Sequence, residues 1–433
     1  MYKNSSIIAF FLIFGQLLSI IRERLLVQFV GIGPLLDVYN ASFKIPDLIF
    51  GIVAGFVGAS TIVPFISRSH AVDDHDDKNV RLNSAFFVFG FLTTILSVII
   101  FFTLPYITKY FASNFTAEQN TDLILYTRIL LLQPFLLGLS TLISNIAQMK
   151  EKFLIFSIAP LLYTTGNIFG VIYLFKQFGL IGIIYGVILG AVAHLLFQSI
   201  TLKGSKLKLS FSNFNLKVVR EHFRLAIPRT GTLLLFKIRD LLYTSFAISF
   251  GPAVLSTYIL AQKLIDVPVN IFTQSLASSS LPKLSVLHEK DDHSGHKKLF
   301  YQNFFLLFIL SSSASIFIYL FIDLLAKIVY GFNVPGIEEV IGMTKMLTVG
   351  IVFFSCGWYV RTALNSRKIT KIDFYINLFA LICAVIIYYI LKFNLSSYST
   401  TFSSYMKLAI TINSMQIISA STMFIYYYRK YLR

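Results

Sequence analysis

Residues 21–67 read IRERLLVQFVGIGPLLDVYNASFKIPDLIFGIVAGFVGASTIVPFIS, and two features of this stretch decide the fold. The first is length. The apolar runs on either side of Gly31-Ile32-Gly33-Pro34 are each long enough to cross a hydrocarbon core, which takes about 20 residues of helix. The second is recurrence. Gly33-Pro34, Pro64, Ser67, His70 and Asp73-Asp74-His75 return as Gly251-Pro252, Pro282, Ser285, His288 and Asp291-Asp292-His293, with every pair 218 positions apart (251 − 33, 282 − 64, 291 − 73). Membrane-length segments built twice are a common plan for transporters, with the substrate path between the copies.

The rest of the chain has the same character. Its 433 residues are 56% hydrophobic, with a mean hydropathy of +0.74, and 13% are charged. Soluble domains carry about 25% charged residues, so this composition excludes a soluble enzyme with a large core. The net charge is +17 (37 Lys and Arg against 20 Asp and Glu). The basic residues are scattered over short loops rather than gathered beside aromatic platforms. That is the positive-inside bias of a membrane protein, and no nucleic-acid partner is expected. Cys356 and Cys383 sit in apolar stretches without a CxxC pattern and read as small hydrophobes. The first apolar run is too long for a signal peptide and carries Arg22-Glu23-Arg24, so it is expected to be a retained span.

Twelve spans are expected, at 6–30, 36–67, 84–110, 123–148, 153–176, 178–202, 224–250, 253–283, 301–329, 338–364, 371–393 and 403–428. The fold class is all-α and polytopic, because these runs lack the two-residue alternation of a barrel. With the N-terminus inside, the inside loops carry Arg68, Arg81, Lys150, Lys203, Lys217, Lys297, Lys368 and Arg429, among others. The outside turns hold only Lys109, Lys176 and Lys392, close to span ends. Both termini are therefore expected in the cytoplasm. Six spans per half give two parallel-repeat lobes, residues 1–202 and 224–433. The join, 203–223, is basic with interleaved apolar residues and reads as a surface-lying amphipathic helix or a charged linker.

Ionised groups at bilayer depth cost at least about 2.5–3.5 kcal/mol each, so they face a cavity or a partner. Here most are cations: Arg22, Arg24, Lys44 and Arg128 in the first half, and Lys237, Arg239, Lys263, Lys345 and Arg361 in the second. The acids are Glu23, Asp37, Asp47, Asp240, Asp266, Asp323 and Asp373. Arg128 and Lys345 lie near span ends, where they can snorkel to the headgroups. Asp37 opens a span and can cap it. Arg239 and Asp240 are neighbours, about 100° apart on a helix, and are expected to pair with other helices. Arg22, Lys44, Lys237, Arg239 and Lys263 point to a water-filled cationic cavity between the halves and an anionic substrate. Arginine suits a phosphate or diphosphate by its planar fork, lysine as a point charge.

Two loops, HAVDDHDD (70–77) and HEKDDHSGH (288–296), contain metal-ligand types but read as solvated, so no metal site is expected. No nucleotide-binding, zinc-protease or hydrolase motif has a plausible context, so no cofactor and no enzymatic activity are expected.

Residues 21–67 resemble the opening of the MurJ/MviN family of lipid II flippases, which shares a superfamily with MATE transporters and polysaccharide exporters. The resemblance rests on Arg22-Glu23, Gly31-Ile32-Gly33, Asp37, Lys44-Ile45-Pro46 and Ile62-Val63-Pro64. It continues in LAIPRTGTLLL (225–235), YILAQKLIDVP (258–268) and ALNSRKITKID (363–373), so it covers nearly the whole chain. Departures are Gln16 and Phe50 where the family has arginines, Gly55-Phe56 in place of an acid-glycine pair, and Asp373 in place of a proline. In fourteen-helix members, the resemblance implies, two further helices shape a groove for the lipid tail.

The resemblance implies a flippase that carries an undecaprenyl-diphosphate-linked peptidoglycan precursor, lipid II, from the inner to the outer leaflet by alternating access. Arg22, Arg24, Lys44, Lys263 and Arg239 are the expected substrate-binding cations, and Asp37 is expected to pair with a cation. Asp240, Asn377 and Thr411 are candidates for a coupling Na+ or proton site, with membrane potential as the alternative driving force. Expected partners are the lipid-linked glycan, membrane lipids and cell-wall synthesis enzymes. The alternatives are an exporter of another polyprenyl-linked oligosaccharide, a MATE-type antiporter, and a non-transporting membrane scaffold.

Overall fold

A computed structural model describes residues 2–57, 75–203, 214–394 and 401–432. Among the described residues there is no strand, and a helix occupies each of the twelve expected spans, the second being described only as far as Val57. The first span is α1 (Tyr2–Val30). The second is broken into α2 (Pro34–Ser42) and α3 (Lys44–Val57). Then follow α4 (His75–Phe111), α5 (Ala117–Leu130), α6 (Leu132–Met149), α7 (Phe153–Phe169) and α8 (Leu180–Ser199). The second half consists of α9 (Leu216–Phe250), α10 (Val254–Val269), α11 (Ser275–Glu289), α12 (His293–Tyr330), α13 (Ile337–Ser366), α14 (Thr370–Asn394) and α15 (Thr401–Tyr427). Helices α5 and α6 share one span with a break at Leu131, and α10 and α11 share another, joined by a π-helical turn at Asn270–Gln274.

The internal repeat extends to the helix boundaries. Helices α4 and α12 start at His75 and His293, which are 218 positions apart (293 − 75), and run 37 and 38 residues. Each is about 55 Å long, well beyond a ~30 Å hydrocarbon core, so both extend past the membrane on the same plan. The starts of α7 and α14 are 217 apart (370 − 153), and those of α8 and α15 are 221 apart (401 − 180).

Among the described residues, eight helical spans are apolar and long enough to cross a membrane: Leu82–Phe111, Ala117–Gln148, Phe153–Phe178, Leu180–Leu202, His293–Tyr330, Ile337–Ser366, Lys371–Phe393 and Ser404–Leu432. These are the third to sixth and ninth to twelfth of the expected spans. The first two helical spans of each half carry the clustered charges and lie outside this set. Large apolar side chains such as Phe102, Phe305, Ile316, Leu320 and Phe393 are exposed, as lipid-facing residues must be.

The chain forms two compact units: Met1–Gly31 with Val38–Leu241, and Ile32–Asp37 with Leu242–Arg433. The first unit includes the part of α9 as far as Leu241. Residues 204–213 of the expected join lie outside the described residues, and α9 already begins at Leu216. The physical reason is packing: the Lys237 side chain lies against Gly51 of α3 and so ties the middle of α9 to the first half.

The first unit has a core of Ile49, Val53, Phe86, Phe89, Leu142 and Ile146, where α3, α4 and α6 meet. Helices α7 and α8 pack on their glycines: a Cβ on Gly186 would lie 2.5 Å from Gly170 Cα, and one on Gly166 would lie 2.4 Å from Gly190 Cα. Only residues lacking a side chain let two membrane helices approach this closely. The core of the second unit gathers Leu284, Phe300, Tyr359, Val360, Met423 and Tyr427 from α11, α12, α13 and α15.

Candidate substrate-binding site

In the first unit, the break after Ser42 places Lys44 at the first position of α3 and Asp47 in its first turn. Both are half-buried. Lys44 lies within electrostatic reach of Asp47, Asp240 and Lys237. A Cβ on Gly51 would sit 2.6 Å from Lys237 Cε, so glycine there leaves the channel that the lysine stem occupies. Two lysines and two aspartates from α3 and α9 therefore form one group.

Arg239 and Asp240 do pair with each other, contrary to expectation: the guanidinium donates to Asp240 Oδ1 from Nε at 3.2 Å and from Nη2 at 2.9 Å. A side chain with four rotatable bonds bridges the 100° that separates neighbours on a helix. The guanidinium also lies 5.1 Å from the Phe236 ring centroid. Arg22 likewise turns onto its neighbour, donating from Nε to Glu23 Oε1 at 3.1 Å and closing a second contact through Nη2. Tyr39 and Tyr163 are within electrostatic reach of Arg22, and the buried Tyr39 hydroxyl accepts from Asn167 Nδ2 at 3.2 Å. Arg24 is exposed.

The cations of this group are thus largely offset by acids. Arg22, Arg24, Lys44, Lys237 and Arg239 stand against Glu23, Asp47 and Asp240 in number, a net of +2 (5 − 3). The group is not sealed, however: the Arg239 side chain is 22% exposed and that of Asp240 47%. An ionised carboxylate exposed to that extent inside a membrane helix implies contact with water rather than lipid.

Asp37 does something other than pair with a cation. It is 0% exposed, and its two carboxylate oxygens accept from the backbone N–H groups of Ala253 and Ser256, each at 2.6 Å. It therefore caps the N-terminus of α10, satisfying donors that have no partner within the helix. Lys263 and Asp266 stand on α10, three residues apart on one face, both half-buried. Lys263 belongs to the second unit and the other expected substrate cations to the first.

The three residues suggested for ion coupling are divided in the same way. Asp240 is in the first unit, and Asn377 and Thr411 are in the second. Asn377 Nδ2 donates to the backbone oxygen and to Oδ1 of Asp373, both at 2.8 Å, and its Oδ1 accepts from Ser419 at 3.0 Å. Arg361 Nε donates to the same Asp373 oxygen at 2.8 Å, with its guanidinium 5.0 Å from the Trp358 ring centroid. Asp373, which replaces a proline in the family pattern, thus anchors a buried network joining α13, α14 and α15. Thr411 is buried and donates to Lys407 O at 2.9 Å.

Of the two cations expected to snorkel, Lys345 pairs with Asp323 at 2.8 Å, while Arg128 donates to Phe101 O at 3.2 Å and stacks on its ring. In the loop at 288–296, Asp292 caps α12 by accepting from Gly295 N at 2.8 Å, and His293 is exposed. Residues 70–74 of the matching loop lie outside the described residues.

Sequence reasoning missed Gly51, Tyr39, Asn167 and the backbone partners of Asp37. The glycine contacts had a legible signal in the four-residue spacing of Gly182, Gly186 and Gly190. The others carried none, because each depends on which helices meet.

Residues 26–430 match the family described as Lipid II flippase MurJ. The lipid II flippase MurJ of Burkholderia cenocepacia is 19% identical over 332 residues, 75% of this chain and 64% of that protein, so the match spans slightly less than two thirds of that relative's length. The probable lipid II flippase MurJ of Borreliella burgdorferi is 20% identical over 374 residues, 84% of this chain and 72% of that protein. Among solved structures, lipid II flippase MurJ in an inward closed conformation aligns with a TM-score of 0.77 at 16% identity, covering 97% of this chain and 87% of that one. An inward-facing multidrug resistance MATE family transporter of the MOP superfamily aligns with a TM-score of 0.79 at 18% identity, covering 95% and 93%. These two likenesses show a shared fold. With the family match over nearly its whole length, the chain belongs to the lipid II flippase MurJ family.

Proposed function

We propose that this protein moves an undecaprenyl-diphosphate-linked peptidoglycan precursor, lipid II, from the inner to the outer leaflet of a bacterial cytoplasmic membrane, with both termini in the cytoplasm. Family membership supports the substrate. The observation that carries the mechanism is the group formed by Lys44, Asp47, Lys237 and Asp240, linked to the Arg22–Glu23 pair through Tyr163, which lies within electrostatic reach of both Asp47 and Arg22.

The chemistry is an exchange of counter-ions. Without substrate, carboxylates neutralise cations that would be costly to leave unpaired in the membrane. A diphosphate carries more charge and more acceptor oxygens than a single carboxylate. It displaces Asp47, Asp240 and Glu23 from the lysines and from Arg22, whose planar fork matches a phosphate edge. Lys263, in the second unit, is proposed as a substrate-binding cation in its own right. The sugar–peptide head travels with the diphosphate while the polyprenyl tail stays in lipid, and the two repeats alternate access. Release restores the internal pairs. Na+ or a proton is proposed to help reset the carrier, with Asp240, Asn377 and Thr411 as the candidate residues and membrane potential as the other source of drive.

Complementation tests the proposal. In a bacterium depleted of its own flippase, wild type restores growth, whereas membrane-inserted Arg22→Ala, Lys44→Ala and Lys263→Ala do not. Growth with all three variants contradicts the charge mechanism. A membrane scaffold without transport activity would behave in that way.

A further inference from the structure

Two cations of the second unit, Arg367 and Lys430, have no carboxylate partner among the described residues. Arg367 sits in the turn between α13 and α14, only 9% exposed, yet no ion pair to it exists among the described residues. Its guanidinium carbon lies 4.5 Å from the Tyr431 ring centroid and 5.9 Å from that of Tyr427, while its Nε is buried without a hydrogen-bond partner. Lys430 approaches the same Tyr431 ring at 5.6 Å and donates to Tyr426 Oη at 3.2 Å.

The backbone builds this arrangement. Tyr428–Leu432 forms a π-helical turn at the end of α15. In an α-helix, residues five apart point about 140° away from each other. The wider turn brings the Tyr426 and Tyr431 rings to 6.4 Å and sets Lys430 between them. Such turns are frequent at functional sites. Behind the rings, His296 Nδ1 lies 3.4 Å from Tyr427 Oη, which fixes that ring.

Two cations on one aromatic ring repel each other, and aromatic contact offsets this only in part. What the group lacks is an anion. Its depth identifies which kind. Arg367 follows the last residue of the span Ile337–Ser366, and Lys430 lies in the last turn of the span Ser404–Leu432, so both stand at headgroup level. Lys430 is exposed and Arg367 is buried beside it. This is the end that the charge bias assigns to the cytoplasm, the leaflet side where anionic lipids attract basic residues.

We propose that Arg367, Lys430 and Tyr431 form a binding site for the phosphate of an anionic phospholipid, separate from the transported lipid. Arg367 donates from the buried side, Lys430 from the open side, and Tyr431 holds both in place.

Native mass spectrometry of the detergent-purified full chain tests this, with dioleoylphosphatidylglycerol, dioleoylphosphatidylcholine and free glycerol 3-phosphate as probes. Wild type is expected to retain phosphatidylglycerol in preference to phosphatidylcholine. R367Q/K430Q loses that preference by about thirtyfold, since each of the two basic residues near an anionic surface contributes roughly 1 kcal/mol. R367K keeps most of it, which separates charge from folding. K368Q, at an exposed lysine paired with Glu289, keeps all of it. Equal retention of both lipids by wild type, or equal retention of phosphatidylglycerol by wild type and R367Q/K430Q, overturns the proposal. Displacement by free glycerol 3-phosphate at matched concentration also overturns it, by assigning the site to a soluble phosphate. So does loss of undecaprenyl diphosphate binding in R367Q/K430Q equal to the loss of phosphatidylglycerol, which would assign the site to the transported lipid.

Discussion

An ionised side chain within a bilayer is stable only beside water, a partner or a ligand, and the polar residues of this protein divide along those lines. Asp37 has partners of a fixed kind, the backbone N–H groups at the start of α10. Asp37→Ala is expected to lower stability by about 0.5–2 kcal/mol, as loss of a helix cap does. Thermal unfolding of the purified protein checks this, and Asp37→Asn, which can still accept one of the two bonds, should fall in between. Gly51 has the opposite role, leaving room for a lysine. Gly51→Val should displace Lys237 yet leave the fold intact, because the obstructing atoms belong to the far end of a flexible side chain. The expected outcome is normal membrane insertion with weakened binding of undecaprenyl diphosphate, measured on the same preparation.

At the scale of helices, the glycine contact between α7 and α8 permits the sharpest expectation. A leucine at Gly186 would drive a side chain into the backbone at Gly166 and Gly170. Overpacking of this kind costs about 1–3 kcal/mol or more, so Gly186→Leu should lower the thermal midpoint and the yield of monodisperse protein in detergent. Helices were the most legible part of the sequence. Apolar length marked the spans, the first two of each half being interrupted by charges, and the 218-residue offset found in a few loop residues reappears in the start positions of α4 and α12. Breaks inside spans were not legible. The interruptions at Phe43 and Leu131 and the π turn at Asn270–Gln274 follow from local hydrogen-bond geometry, for which apolar periodicity is no guide. Pairing was misread for a similar reason. Arg239 and Asp240 point in different directions at Cβ, and only the reach of the arginine side chain brings them together.

At the scale of the molecule, charge balance governs how transport responds to voltage. The group of Arg22, Arg24, Lys44, Lys237 and Arg239 with Glu23, Asp47 and Asp240 carries a net of +2 (5 − 3). Each charge crossing the full field is worth about 2.3 kcal/mol per 100 mV. The return of the empty carrier should therefore depend on potential no more steeply than two charges allow, which potassium-diffusion potentials imposed on proteoliposomes can measure. A steeper dependence would require cations from elsewhere to move through the field.

The most direct test of the counter-ion exchange is transport itself. Full-length protein reconstituted in proteoliposomes should move a fluorescent undecaprenyl-diphosphate-linked glycan into the opposite leaflet, scored by protection from a reagent added outside. Lys44→Gln combined with Lys237→Gln is expected to slow this by about a hundredfold or more, the effect of losing two charge-assisted hydrogen bonds to the diphosphate. Equal rates for the wild type and the correctly folded double variant would contradict the account, because the lysines would then serve only their aspartates and not the substrate.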